Sequence, residues 1–148
     1  GWVGVKDWAQ SNPPSKITPQ NGFWGVANYQ RNTTSDPANA QSGSKYVKFE
    51  GRGANNQRAL ISPAIDLSDV DEDLELTFWL HAFGADIGQM TVSVSNSVSG
   101  PFNDVWTYNQ GSYKTEWEQI GINLKNEIDF NWNNLFLKFD ICVLQILV

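Results

Sequence analysis

The segment from residue 74 to residue 95 constrains the fold more than any other, because its side chains alternate in character. One face of 74–83 would carry only apolar side chains: Leu74, Leu76, Phe78, Leu80 and Ala82. The alternation stops at the glycine-bearing segment 84–88 and resumes in 89–95. A two-residue period is typical of a β-strand with one buried face. The sequence therefore predicts two strands, 74–83 and 89–95, that pair as an antiparallel hairpin.

Shorter segments elsewhere in the chain show the same kind of pattern. Further strands are predicted at 45–51, in 57–67, where the strand ends at Pro63, and at 105–108, 116–124 and 135–140. Turns between them are supplied by 12 glycines and 6 prolines, and the 13% of aromatic residues favours strands over helices. We therefore expect an all-β fold, an antiparallel two-sheet jelly-roll sandwich of the concanavalin A or galactose-binding type, with residues 1–148 in one domain.

Charge and hydropathy exclude several classes of partner. The net charge is −6 and no basic cluster is longer than two residues, so the positive surface that nucleic acid requires is missing. No apolar run reaches the length of a membrane-spanning helix, so membrane insertion is not expected. The single cysteine leaves no intrachain disulfide and no cysteine-based metal cluster.

The order of several motifs resembles the MAM domain, an extracellular adhesion module, and the related LamG-like jelly rolls. The motifs are "QRALISPAIDLS", "LELTFWLHAFGADIGQMTVSVS" and "VWTYNQGSYKTEWEQIGINL". The positions that match the family pattern are Gln57, Ala59, Leu60, Ser62, Pro63, Asp66, Phe78, Trp79, His81, Gly84, Asp86, Gly88, Val92, Trp106, Gln110, Gly111 and Trp117. The matching core covers about residues 22–140, which makes the resemblance more specific than a short motif.

The resemblance implies a non-catalytic adhesion or recognition module that binds protein or glycan at a cell surface or matrix. It also implies a secreted or cell-surface location, as part of a larger protein. The cysteines of vertebrate members are missing, as is common in bacterial relatives. The family's opening strand is not found and its closing strand is replaced by the apolar tail 141–148, so we expect a chain truncated at both ends. The family would place that closing strand beside the first strand.

The only histidine, His81, is the one residue that suggests catalysis. It alternates with Trp79 and Phe83 on the predicted outward face, which favours a framework histidine over a general base. Trp79 on that face is expected to cover a second layer or to lie under the N-terminal loops. No Gly-x-Ser-x-Gly motif is present, although the composition permits a Ser-His-Asp triad. A small jelly-roll lyase or hydrolase, and an accessory domain of a secreted protease, remain the alternatives to a binding module.

Two places in the sequence are candidates for a structural cation. Asp36 aligns with an aspartate that MAM relatives use for a cation near the sandwich edge, and an Asx-Pro turn is the alternative. The acidic run 69–75 could also supply oxygen ligands, although such runs are usually solvated loops. The tail 141–148 offers no carboxylate, so we expect little calcium stabilisation at Asp36. We expect self-association through the same apolar tail.

Aromatic side chains are the remaining candidates for a binding surface. Six of the seven tryptophans fall in predicted loops or at strand ends: Trp2, Trp8, Trp24, Trp106, Trp117 and Trp132. Exposed indole planes stack on sugar faces or anchor protein interfaces. A sandwich of this size also needs large side chains for its core, so we expect most of the tryptophans to be buried.

Overall fold

The computed structural model describes residues 9–10, 23–28, 36–50, 56–70, 73–82, 88–108, 116–129 and 131–143. Every regular element within these ranges is a β-strand, which confirms the all-β prediction. The strands are β1 (Ala9–Gln10), β2 (Phe23–Ala27), β3 (Tyr46–Glu50), β4 (Asn56–Ile61), β5 (Ile65–Asp66), β6 (Glu75–Leu80), β7 (Gln89–Ser95), β8 (Asn103–Tyr108), β9 (Glu118–Asn123) and β10 (Asn134–Val143). Across this described part, no helix is long and apolar enough to cross a membrane.

The strands form one large sheet and two ribbons, and all the pairings are antiparallel. The large sheet has the order β1-β4-β10-β7-β8, with β5 also paired to β10. The ribbons are β2–β3 and β6–β9. Sequence neighbours are therefore often not sheet neighbours, as expected when a chain passes between two layers.

Two hydrophobic clusters show that the ribbons cover one face of the large sheet. In the first, Ile122 of β9 packs with Val92 of β7 and Leu137 of β10. In the second, Trp24 of β2 packs with Leu60 of β4. Because each cluster takes side chains from both layers, the molecule is an antiparallel β-sandwich, and the predicted fold class is confirmed.

The alternation in 74–82 gave the correct faces but the wrong partner. Glu75, Thr77 and Trp79 are exposed, whereas Phe78 and Leu80 on the other face are half-buried in the core. The predicted hairpin is wrong, because β6 pairs with β9 while β7 pairs with β10 and β8. Alternation specifies which face is buried, and strands of either layer can bury it in the same core. The connecting residues 83–87 lie outside the described residues.

Strand β10 lies in the middle of the large sheet, between β4 and β7. Its apolar side chains recur at every second position, and Leu135, Leu137 and Phe139 all contact the first cluster. The strand continues into the tail, where Ile141 pairs with both Arg58 and Met90. Part of the tail is thus a strand, although the described partners of β10 are β4, β5 and β7 rather than the first strand that the MAM resemblance implies. Residues 144–148 lie outside the described residues.

A serine fixes the end of β4 against β10. The Ser62 backbone N–H donates to the Leu137 carbonyl at 2.9 Å, and the Ser62 hydroxyl accepts from the Leu137 N–H at 2.9 Å. The strand ends there because Pro63 has no N–H to donate to a ladder. The strand predicted in 57–67 thus ends before this proline, as expected, and β5 follows the proline as a separate strand.

Candidate functional site

The outward face of the β6–β9 ribbon carries a large exposed side chain. Trp79 pairs in register with Gln119, and its side chain points away from the core because Phe78 and Leu80 point into it. Trp79 is 42% exposed, one of the exposed large hydrophobic residues of the described part. The prediction that Trp79 covers a second layer or lies under the N-terminal loops does not account for this exposure, and most of the N-terminal residues lie outside the described residues. The exposed part of the indole contributes nothing to folding through burial, so it is available for contact with a ligand.

A cleft of about 410 Å³ lies beside Trp79 and opens to solvent. One wall is the ribbon, with Trp79, His81 and the Glu116–Trp117 segment that leads into β9. The other wall is the segment 37–41, and we call it the wall loop. The lining side chains are Pro37, Ala38, Asn39, Ala40, Gln41, Trp79, His81, Glu116 and Trp117. The cleft therefore combines two indoles with amide and carboxylate groups.

Trp117 is held in place from several sides. Its Nε1–H donates a hydrogen bond to the backbone carbonyl of Asn39 at 2.9 Å. The Tyr46 ring meets the Trp117 ring edge-on, with ring centroids 5.9 Å apart. The His81 ring is tilted against Trp117 with centroids 5.5 Å apart. Because an indole has one donor and two apolar faces, these contacts fix its orientation as well as its position.

Asp36 lies at the start of the wall loop, where it is paired with a lysine. The Lys48 Nζ is 2.6 Å from the Asp36 Oδ1, and the two side chains are only 13% and 4% exposed. An ammonium group thus supplies positive charge at the carboxylate that is a candidate cation ligand. Among the described residues, no group of three or more His, Cys, Asp and Glu side chains could hold a metal ion. The calcium assignment to Asp36 stays a prediction, and Lys48 would compete with such an ion.

The acidic run 69–75 also has a lysine beside one of its carboxylates. Asp73 lies 3.1 Å from the Lys125 Nζ, and both side chains are more than half exposed. Asp71 and Glu72 lie outside the described residues. This exposed pair fits the solvated-loop interpretation of the run.

His81 and Glu116 are the titratable side chains that line the described cleft. His81 follows β6 directly and is half-buried against Trp117, as expected of a framework residue. Glu116 is exposed and supplies the one carboxylate among the described lining residues. Neither a serine nor an aspartate lines the cleft within that set, so these residues do not form a Ser-His-Asp arrangement.

Most of the other tryptophans with described side chains are core residues. Trp24 is buried, Trp132 packs against the first cluster, and the Trp106 ring lies 5.6 Å from the Phe78 ring. Trp2 and Trp8 lie outside the described residues. Sequence reasoning singled out Trp117, but it missed both Trp79 and the wall loop as parts of the site. The available signal for Trp79 was a large aromatic side chain at an outward-facing strand position.

Comparisons with known proteins support the architecture. No protein-family model matches this chain, and no curated protein matches it. Solved structures do match, and one concerns "the promiscuous specificity of the carbohydrate-binding modules from the beta-sandwich super family". It aligns with a TM-score of 0.55 at 15% sequence identity, over 96% of this chain and 52% of that chain. This chain therefore spans about half the length of that protein, and at this identity the likeness shows a shared β-sandwich fold.

Proposed function

We propose that this chain is a non-catalytic recognition module that binds glycans in the cleft beside Trp79. The observation that carries the proposal is the exposed indole of Trp79 at the edge of a cleft that also contains the fixed indole of Trp117. The chain exposes a flat apolar surface at the position where a polar side chain would complete the strand's alternation.

The lining side chains suit the chemistry of an uncharged sugar. The apolar C–H face of a pyranose ring can pack on an indole, which offers a large flat apolar surface beside a polar N–H group. The amides of Asn39 and Gln41 can donate to and accept from sugar hydroxyls, and the Glu116 carboxylate can accept from them. Such a site binds weakly when it binds one or two rings, because few contacts offset the cost of association.

Two further observations favour this proposal. The matched β-sandwich structure concerns carbohydrate-binding modules, and its likeness to this chain covers 96% of the chain. The resemblance to MAM domains favours an adhesion role at a cell surface or matrix, in a larger secreted protein. We take both as support for a binding module and propose glycan rather than protein as the ligand, because the cleft is small and combines two indoles with amide and carboxylate groups.

The experiment is a binding screen with the whole chain. Neutral, uronic-acid and sulfated oligosaccharides would be immobilised and probed with wild type and with Trp79→Ala. We expect the wild type to retain a subset of neutral glycans and the variant to lose them. Absence of glycan binding by a folded wild-type chain would contradict the proposal and would favour the accessory-domain hypothesis, which requires no ligand.

A hydrolase or lyase is the second candidate, because His81 and Glu116 line the same cleft. Glycosidases use two carboxylates across the scissile bond, and the described lining offers one. Prolonged incubation of the chain with bound glycans, followed by product analysis, separates the two functions. Products that disappear in His81→Gln while the fold and binding persist would establish the enzyme instead.

A further inference from the structure

We propose that the Asp36–Lys48 ion pair positions the wall loop, and that it thereby sets the shape of the cleft and its affinity for ligand. The affinity part of this inference rests on the proposed function. The positional part does not, because it concerns the wall loop and Trp117 alone. Asp36 and Lys48 are positioning residues here, since neither lines the cleft.

The first argument is the place of Lys48 in β3. Strand β3 pairs with β2, and Lys48 lies opposite Gly25 in that ladder. Val47 and Phe49 pack into the second cluster, so Tyr46 and Lys48 project from the opposite face. Tyr46 contacts Trp117 and Lys48 contacts Asp36. One face of β3 therefore supports both walls of the cleft.

The second argument is the short distance along the chain between the two anchors of the wall loop. Asp36 is anchored by Lys48, and the Asn39 carbonyl is anchored by the Trp117 indole. Three residues span at most about 11 Å even when fully extended, so these anchors leave little freedom between them. Pro37 restricts it further because its ring fixes φ. A shift of Asp36 would therefore move the carbonyl that orients Trp117.

The third argument is the burial of the pair. At 4% and 13% exposure, both groups have given up most of their hydration. Apolar side chains of similar volume often give equal or greater stability than a buried ion pair. What the ion pair adds over apolar packing is a defined distance between two atoms, which is the property that a positioning role requires.

The main test replaces both charges at once, with Asp36→Leu and Lys48→Met in one chain. We expect the double variant to fold, because the volume is kept and both charges of the pair are removed together. The ¹⁵N–¹H signal of the Trp117 indole, assigned with Trp117→Phe, reports the hydrogen bond to Asn39. In the double variant we expect this signal to shift and its proton to exchange with water at least tenfold faster.

The control is the exposed pair Asp73–Lys125, broken by Lys125→Met. This change also removes an ion pair, but it lies outside the cleft lining, so the Trp117 signal should stay in place. An unmoved Trp117 signal in the folded double variant would overturn the inference, whatever the chain binds. If the double variant does not fold, Asp36→Glu is used instead, because it keeps the charge and lengthens the side chain by one methylene. The inference then requires that Asp36→Glu shifts the Trp117 indole signal.

Affinity is measured separately, by calorimetry with cellohexaose, mannohexaose and xylohexaose as neutral probes. For any probe that binds the wild type, we expect the double variant to bind about tenfold more weakly. Unchanged affinity beside a shifted Trp117 signal would overturn the affinity part. If the wild type binds none of these probes and no glycan in the screen, the proposed function fails. The positional inference is then decided by the indole signal alone.

Discussion

The indole of Trp117 donates to the backbone carbonyl of Asn39 at 2.9 Å, across 78 residues of sequence. This bond joins the β6–β9 side of the cleft to the wall loop. Neither residue has a sequence signal that points to the other, because an indole donor can meet any carbonyl in reach. The cleft is therefore a tertiary feature, and its shape depends on a small number of side-chain anchors.

We expect Trp117→Phe to lower the stability of the chain, although the variant keeps an aromatic ring in the cleft. The change removes the only donor of the side chain and leaves the Asn39 carbonyl to solvent. The free energy of unfolding should fall by about 0.5–1.5 kcal/mol, the usual net value of one hydrogen bond. Urea denaturation measures this loss. If the urea midpoint and the affinity for glycan are both unchanged, the hydrogen bond contributes neither to stability nor to the shape of the cleft.

We expect Ser62→Ala to destabilise the large sheet more than the loss of one small hydroxyl group would suggest. The Ser62 hydroxyl accepts the Leu137 N–H, and Ser62 is only 4% exposed, so its loss leaves a buried donor unsatisfied. The cost should be about 1–3 kcal/mol. Ser99→Ala is the matched control, because Ser99 is exposed and should change stability by less than about 0.5 kcal/mol. Equal effects of the two changes in denaturant melts would contradict this role of Ser62.

The sequence predicts which face of a strand is buried, but it does not predict which strand pairs with which. The faces of 74–82 follow from the two-residue period, and the order of Phe78 and Trp79 fixes which ring is buried. The partner of β6 depends on how the chain crosses between layers, and no local pattern specifies that. The cleft was not predicted, because Trp117 and His81 were singled out separately and not as parts of one site. The wall loop reads as ordinary turn sequence, because its role depends on the contacts of Asp36 and Asn39 with distant residues.

We expect calcium to have little effect on the stability of this chain. The Asp36 carboxylate lies 2.6 Å from the Lys48 ammonium, and a divalent ion would have to displace that group. A hard cation also needs several oxygen ligands. Thermal melts in millimolar calcium and in EDTA should therefore agree within about 1–2 °C. A calcium-dependent rise of many degrees that disappears in Asp36→Asn would restore the predicted cation site.

We expect the residues after Val143 to control self-association. Residues 141 and 142 pair with strands on both sides and Val143 pairs with Asn56, so the backbone of 141–142 is not an open edge. The sequence 144–148 contains the apolar residues Leu144, Ile146, Leu147 and Val148, and apolar side chains of this kind promote association where they are not buried. Light scattering would compare the full chain with one that ends at Val143. A monomeric full chain would contradict the prediction, and so would equal association of both chains.

The most direct test of the glycan-binding proposal is the affinity of Trp79→Ala for the best neutral oligosaccharide of the screen, measured by calorimetry. Val98→Ala is the matched control, because Val98 is also an exposed hydrophobic residue, at 57%, and does not line the cleft. We expect Trp79→Ala to bind at least tenfold more weakly, a loss of about 1.4 kcal/mol, while the chain stays folded at the temperature of the measurement. Val98→Ala should bind like the wild type. Equal affinity of wild type and Trp79→Ala would contradict the account, because the exposed indole would then play no part in binding.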